Sequence, residues 1–156
     1  MKAIFIDVDG TLSSPCYKVN GEFQIGMSDT QWAAYCKEQG EDTYRWCRPV
    51  MPVKEYALKA KAAGAKLYVL TTSGTQIETA AKRKFIDRCY PGMFDEIYAV
   101  LHDDEKVKFI LQKAEELGIE PSDCELVEDT YRILLQTVTE DIKSTHITTI
   151  LTGIEA

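Results

Sequence analysis

Asp7-Val8-Asp9-Gly10-Thr11 sets two carboxylates two residues apart, directly after the apolar run Ala3-Ile4-Phe5-Ile6. Open parallel sheets carry their ligand sites beyond the carboxyl ends of the strands, where the winding reverses. There the two acids can divide the labour: one attacks phosphorus and holds a metal ion, the other trades protons with the ester oxygen. Gly10 permits the sharp backbone exit this needs. The competing readings are an Asp-rich turn and the start of a calcium loop. The calcium loop fails, because it needs a third oxygen ligand, a glycine and a glutamate where Thr11, Leu12 and Lys18 stand.

Three later segments add to the chemistry. Thr71-Thr72-Ser73-Gly74-Thr75 joins a strand pattern to a helix pattern, so its hydroxyls and free amides could cradle a phosphate. Ordinary capping, Ser73 with Gln76 or Thr75 with Glu78, accounts for the same residues. Lys106 opens the clearest helical pattern, where a cation could neutralise a phosphoryl group. The neighbouring Asp103, Asp104 and Glu105 suit the helix dipole. Glu128-Asp129-Thr130 follows Glu125-Leu126-Val127, and carboxylates facing Asp7 there would complete an oxygen site for Mg²⁺. An Asp capping the next helix is the alternative. Taken singly these segments are ambiguous; their order at successive strand ends makes the pattern.

The elements that must position them follow from periodicity. Short apolar runs at 3–6, 67–70, 97–100, 125–127 and 147–151 lack strict polar alternation and predict strands covered on both faces. Helical stripes lie between them: Val53, Tyr56, Ala57 and Ala60; Ile77, Ala81, Phe85 and Cys89; Val107, Ile110, Leu111, Ala114 and Leu117. Gly64, and Gly118 followed by Pro121, supply stops. The alternation predicts an α/β, doubly wound, Rossmann-like parallel sheet of about five strands, in a single domain over 1–156. Residues 12–50 interrupt it with a hairpin centred on Asn20-Gly21 and a helix opened by a Ser28–Gln31 capping box and ended by Gly40.

The formal charge of −7 disfavours nucleic acid as a partner, while a bound cation could still bring in a small phosphorylated substrate. The five cysteines, Cys16, Cys36, Cys47, Cys89 and Cys124, show no CxxC pair and no zinc spacing, and read as reduced structural filler. With no signal-peptide pattern and no run long enough for a bilayer, a cytoplasmic location without membrane contact is expected.

These motifs together resemble the haloacid dehalogenase (HAD) superfamily of phosphohydrolases, over nearly the whole chain from Asp7 to Asp129. Asp7-Val8-Asp9-Gly10-Thr11 looks like its first motif, Leu70-Thr71 its second, Lys106 its third, and Glu128-Asp129 its fourth in the Glu-Asp variant. The resemblance implies Asp7 as nucleophile and Asp9 as general acid, then base. Thr71 and Lys106 would hold phosphoryl oxygens. Mg²⁺ would sit on Asp7, the backbone carbonyl of Asp9 and Asp129. An acid at position 9 is similar to the phosphatase branch, and the small insertions resemble the minimally capped members. Where many relatives carry a further acid about four residues beyond Asp129, this chain has Ile133, so Glu128 is the candidate to substitute through a water. Substrate choice would then fall to the flap hairpin, to residues 28–50 or to another subunit of a homo-oligomer.

Thr11, Thr72, Arg45 and Arg48 are candidate substrate contacts, the two arginines with Trp46 reading equally as a surface cluster. Lys82-Arg83-Lys84 with Arg88 is read as a solvated helix face, and His102 and His146 as structural or surface residues. The expected activity is Mg²⁺-dependent phosphomonoester hydrolysis through an aspartyl-phosphate. The alternatives are a catalytically silent HAD-like binding or regulatory module and, within enzymes, a phosphomutase.

Overall fold

The computed structural model describes residues 1–153. In chain order the strands are β1 (Ala3–Ile6), β2 (Ser13–Ser14), β3 (Tyr17–Val19), β4 (Glu22–Gln24), β5 (Arg48–Pro49), β6 (Lys66–Thr72), β7 (Glu96–Val100), β8 (Cys124–Glu128) and β9 (Lys143–His146). The helices are α1 (Asp29–Gln39), α2 (Met51–Ala62), α3 (Gln76–Cys89), α4 (Glu105–Leu117), α5 (Tyr131–Val138) and α6 (Ile147–Leu151). Five strands form one parallel sheet in the order β7-β6-β1-β8-β9. The chain winds outward from β1 through β6 to β7, then returns to β8 on the other side of β1. The winding therefore reverses at β1, and the crevice at its carboxyl end is where such sheets bind ligands.

Apolar side chains cover both faces of the three inner strands. Ile4, Ile6, Leu67, Val69 and Val127 pack with Val53 and Ala57 of α2 and with Ala81, Phe85 and Ile86 of α3. Ala3, Phe5, Tyr68, Leu70 and Leu126 pack against Val107 and Ile110 of α4 and Ile133 and Leu134 of α5. This double cover is why the inner strands read as unbroken apolar runs. Burial pushes the Cys36 and Cys124 thiols up to about 11, so both stay uncharged and act as small apolar fillers.

The insertion after β1 matches its sequence pattern. Asn20 and Gly21 both adopt positive φ, 51° and 82°, in the two-residue turn between β3 and β4. Ser28 and Gln31 cap α1 reciprocally, and Gly40 ends it. β2 pairs antiparallel with β5, closing the excursion where it leaves and rejoins the sheet.

Two expectations are corrected. The fifth strand is not 147–151 but β9, Lys143–His146, with α6 following it. β9 is an edge strand and buries mainly Thr145, so it needs no apolar run. In α6, Ile147 and Ile150 pack on the core at helical spacing while Leu151 is exposed. In α3 the inward face is Glu78, Ala81, Lys82, Phe85 and Ile86, and Ile77 is 46% exposed. Among the described residues, no helix is long and apolar enough to cross a membrane.

Candidate active site

Asp7 continues β1 by one residue, its amide donating to the Val127 carbonyl at 3.1 Å, so its side chain leaves the sheet beside the end of β8. The chain then turns tightly, with the Leu12 amide donating to the Asp7 carbonyl and the Ser13 amide to that of Val8. Gly10 takes a φ of 74° in this turn. A Cβ built there would lie 2.2 Å from Asp129 Oδ2, so the bare backbone is what lets Asp129 fold in against the loop.

Lys106 enters from the first turn of α4 and is 1% exposed. Its Nζ donates to Asp7 Oδ1 at 2.9 Å and to Glu128 Oε2 at 2.8 Å. Burial by itself would depress this ammonium, but the charges of Asp7 and Glu128 outweigh it and hold Lys106 above the ordinary lysine range. Glu128 is also 1% exposed. Burial first, and then the charge of Asp7, push its carboxyl upward despite Lys106. Glu128 Oε1 accepts the amides of Asp129 and Thr130 at 3.2 and 3.4 Å. Both of its oxygens are thus engaged, and it acts here chiefly as a bracket for Lys106 and the loop after β8.

Carboxylate oxygens of Asp7, Glu128 and Asp129 lie within 4.8 Å of one another. Three acids face one lysine, which leaves net negative charge among hard oxygen donors, and Asp129 is exposed enough to admit water. That donor chemistry fits Mg²⁺, which binds few carboxylates and keeps several waters. With Glu128 engaged, Asp7 and Asp129 are the carboxylates with oxygens to spare.

A cleft of about 170 Å³ brings Asp7, Asp9, Thr72, Lys106, Glu128 and Asp129 together. Larger clefts, of about 540 and 600 Å³, lie along α4–α5 and beneath the amino-terminal edge of the sheet, away from these strand ends. Thr72 Oγ1 donates to Asp103 Oδ1 at 2.5 Å. Thr71 lies off the cleft, fully buried, its Oγ1 accepting from Lys82 at 2.9 Å. Thr11 is fully buried, and its hydroxyl has no partner among the described residues. Arg45 and Arg48 are exposed and do not line the cleft; the Arg45 guanidinium lies over Trp46 at 5.0 Å.

The sequence reading missed two residues that reach Asp9. Lys82 is 1% exposed, not solvated, and Tyr44 is 1% exposed; both reach Asp9. Arg88 is exposed, as read, yet its guanidinium donates to the Tyr44 and Cys47 carbonyls. His146 reaches the Asp129 carbonyl at 2.9 Å through Nε2, which must be the donor, while Nδ1 accepts the Thr148 amide. The signal for Lys82 was available: with Glu78 it shares the helical face of Ala81 and Phe85.

Gly10→Ala is expected to push Asp129 outward and to force an alanine into positive φ. The strain should cost about 1–2 kcal/mol. Mg²⁺ affinity should fall about 10-fold or more, on the scale seen when a ligand's support is lost. Titration calorimetry and thermal unfolding check both effects.

No protein-family model matches this sequence, and no curated protein does. Solved structures do. The chain is similar to a HAD-superfamily hydrolase of subfamily IA from Geobacter sulfurreducens, with 15% identity, TM-score 0.60, and coverage of 92% of this chain and 88% of that one. It is similar to a HAD-family enzyme from Bacteroides thetaiotaomicron in complex with magnesium and inorganic phosphate, with 11% identity, TM-score 0.56, and coverage of 94% and 93%. It is also similar to D,D-heptose 1,7-bisphosphate phosphatase from Burkholderia thailandensis, with 12% identity, TM-score 0.54, and full coverage of both chains. At these identities the likeness is one of fold: the parallel-sheet α/β architecture is shared with these hydrolase structures.

Proposed function

We propose that this chain is a Mg²⁺-dependent phosphomonoester hydrolase that works through an aspartyl-phosphate on Asp7, in one domain over 1–156. The observation that carries the reading is Lys106 bridging Asp7 and Glu128, with Asp129 alongside, at the point where the sheet's winding reverses. The similarity to a Bacteroides enzyme holding magnesium and phosphate, and to a bisphosphate phosphatase, supports the same class.

The residues divide the work as follows. Lys106 fixes one oxygen of Asp7 and leaves its other oxygen to attack phosphorus. Asp9, with its side chain 43% exposed, delivers a proton to the leaving oxygen so that the alcohol departs neutral. The Asp7 phosphoryl group is then attacked by a water whose proton Asp9 takes, which restores both acids. Lys106 and Thr72 would face the equatorial oxygens, where charge is greatest in the transition state. Thr72 takes the place first given to Thr71, which is turned to the other face of the sheet. Mg²⁺ held by Asp7, Asp129 and the carbonyl of Asp9 would supply Lewis-acid neutralisation of the phosphoryl charge. The substrate is a small phosphorylated compound of the cytoplasm. The open site leaves selection of its alcohol portion to the β3–β4 flap, to residues 28–50 with Arg45 and Arg48, or to a second subunit.

The test is phosphate release from p-nitrophenyl phosphate and a panel of small phosphoesters. Turnover is expected with Mg²⁺ and its loss with EDTA, restored by added Mg²⁺. Absence of turnover across the panel, with Mg²⁺ bound, would instead favour a binding module built on this fold.

A further inference from the structure

Outside the Asp7–Lys106–Glu128 cluster, Lys82 on the core-facing side of α3 is a 1% exposed ammonium. An ammonium has three N–H donors and needs all of them satisfied when buried. Here one goes to Thr71 Oγ1 at 2.9 Å and one to the Thr72 carbonyl at 2.6 Å, and the ammonium forms an ion pair with Asp9 Oδ2 at 3.1 Å. The two hydrogen bonds tie Nζ to the end of β6, so the charge that faces Asp9 sits in a fixed place. The other Asp9 oxygen, Oδ1, accepts the Tyr44 hydroxyl at 2.7 Å. Burial first, and the charge of Asp9 second, raise the Tyr44 phenol well above its ordinary value, which keeps it a donor.

Both holders are themselves held. Glu78 Oε2 lies 3.6 Å from Lys82 Nζ and accepts the Gly74 amide at 3.0 Å, while Glu78 Oε1 accepts the Trp32 indole N–H of α1. Arg88, two turns further along α3, donates to the carbonyls of Tyr44 and Cys47 at 3.0 and 3.1 Å. The Asp9 carboxylate is therefore clamped between a lysine of the sheet-packing helix and a tyrosine of the inserted segment. Among the described residues, Asp7, two residues earlier, forms no hydrogen bond or ion pair with either.

We infer that Lys82 and Tyr44 are positioning residues for Asp9, fixing the carboxylate that exchanges protons with the leaving oxygen, and that the inserted segment acts on the reaction through Tyr44. The inference rests on the hydrolase reading. A side chain free to turn about its own bonds would spend little time within hydrogen-bond reach of the ester oxygen, and a proton donor works only within that reach. The consequence is selective. Esters with poor leaving groups need the proton, whereas p-nitrophenolate leaves with little help.

The experiment compares kcat/KM for ethyl phosphate and p-nitrophenyl phosphate, because this ratio reports the steps through phosphoryl transfer to Asp7. Lys82→Met is expected to lose about 10²-fold on ethyl phosphate and about threefold on p-nitrophenyl phosphate, the size of a general-acid contribution. Tyr44→Phe, which removes only a hydroxyl, should lose about 10-fold and about twofold respectively, in the same order. Equal losses on both esters in the two variants would mean that the pair merely supports the fold, and would overturn the proposal. A crystal structure of each variant gives a reading independent of turnover. The Asp9 carboxylate should leave its present orientation, and an unchanged Asp9 in both would equally overturn the proposal. If the wild-type protein hydrolyses neither ester the hydrolase reading fails, while the crystal structures still decide whether Lys82 and Tyr44 position Asp9.

Discussion

Replacing Asp7 by asparagine is expected to cut phosphate release by about 10⁴-fold or more while leaving the fold intact, because the attacking oxygen itself is lost. A carboxamide is a poor nucleophile and brings no negative charge to the cation site. The local electrostatics explain why stability should survive. Asp7 is 6% exposed and shares Lys106 with the fully enclosed Glu128, so two acids compete for one ammonium. Asparagine removes one of them, and Lys106 keeps Glu128 at 2.8 Å. The midpoint of thermal unfolding should therefore equal or exceed that of the wild type. Circular dichroism alongside a phosphate-release assay separates the two effects. An active Asp7→Asn protein would place the nucleophile elsewhere.

Lys106→Met is expected to damage both properties. Activity should fall about 10²- to 10³-fold, the usual cost of removing a donor aimed at developing charge. Stability should fall by about 3–5 kcal/mol, because Asp7 and Glu128 are left facing each other without their shared cation. The pH dependence has a defined sign. Despite burial, the two acids hold Lys106 above the ordinary value of 10.5, so its contribution is fully present below that pH and is lost as pH rises through its folded value. The double variant Lys106→Met/Glu128→Gln should recover most of the stability and none of the activity, which distinguishes electrostatic relief from catalytic repair. Urea unfolding of the four proteins in this cycle gives the numbers.

The sequence was most informative where one physical constraint dominates. β1, β6 and β8 are covered on both faces and could be read as apolar runs, and the Asn20-Gly21 turn and the Ser28 cap follow from backbone chemistry at single positions. The edge strand β9 escaped because Lys143-Ser144-Thr145-His146 answers to an edge, with Thr145 its one buried residue. The site divides in the same way. The acids after β1 and β8 stand out as charges following apolar runs. The two threonines after Leu70 do not separate by type. Side chains alternate between faces of a strand, and only the register, with Ile6 opposite Val69, puts Thr72 over the cleft and Thr71 against α3. Lys82 was hidden by composition, since it sits in a run of three basic residues that looks solvated. Its helical spacing from Glu78 and Phe85 was the better guide. Tyr44 had no local signal, because its meeting with Asp9 joins segments 35 residues apart through an irregular turn.

In the proposed reaction phosphorus becomes bonded to Asp7. Acid-quenching the protein during turnover with Mg²⁺ and a phosphoester, then reducing it with borohydride, converts an aspartyl-phosphate to homoserine, which peptide mass spectrometry locates. Homoserine is expected at position 7 in the wild-type protein and none in Asp7→Asn or with EDTA. Sustained phosphate release with aspartate intact at position 7, or homoserine formed at another acid, would contradict this reaction.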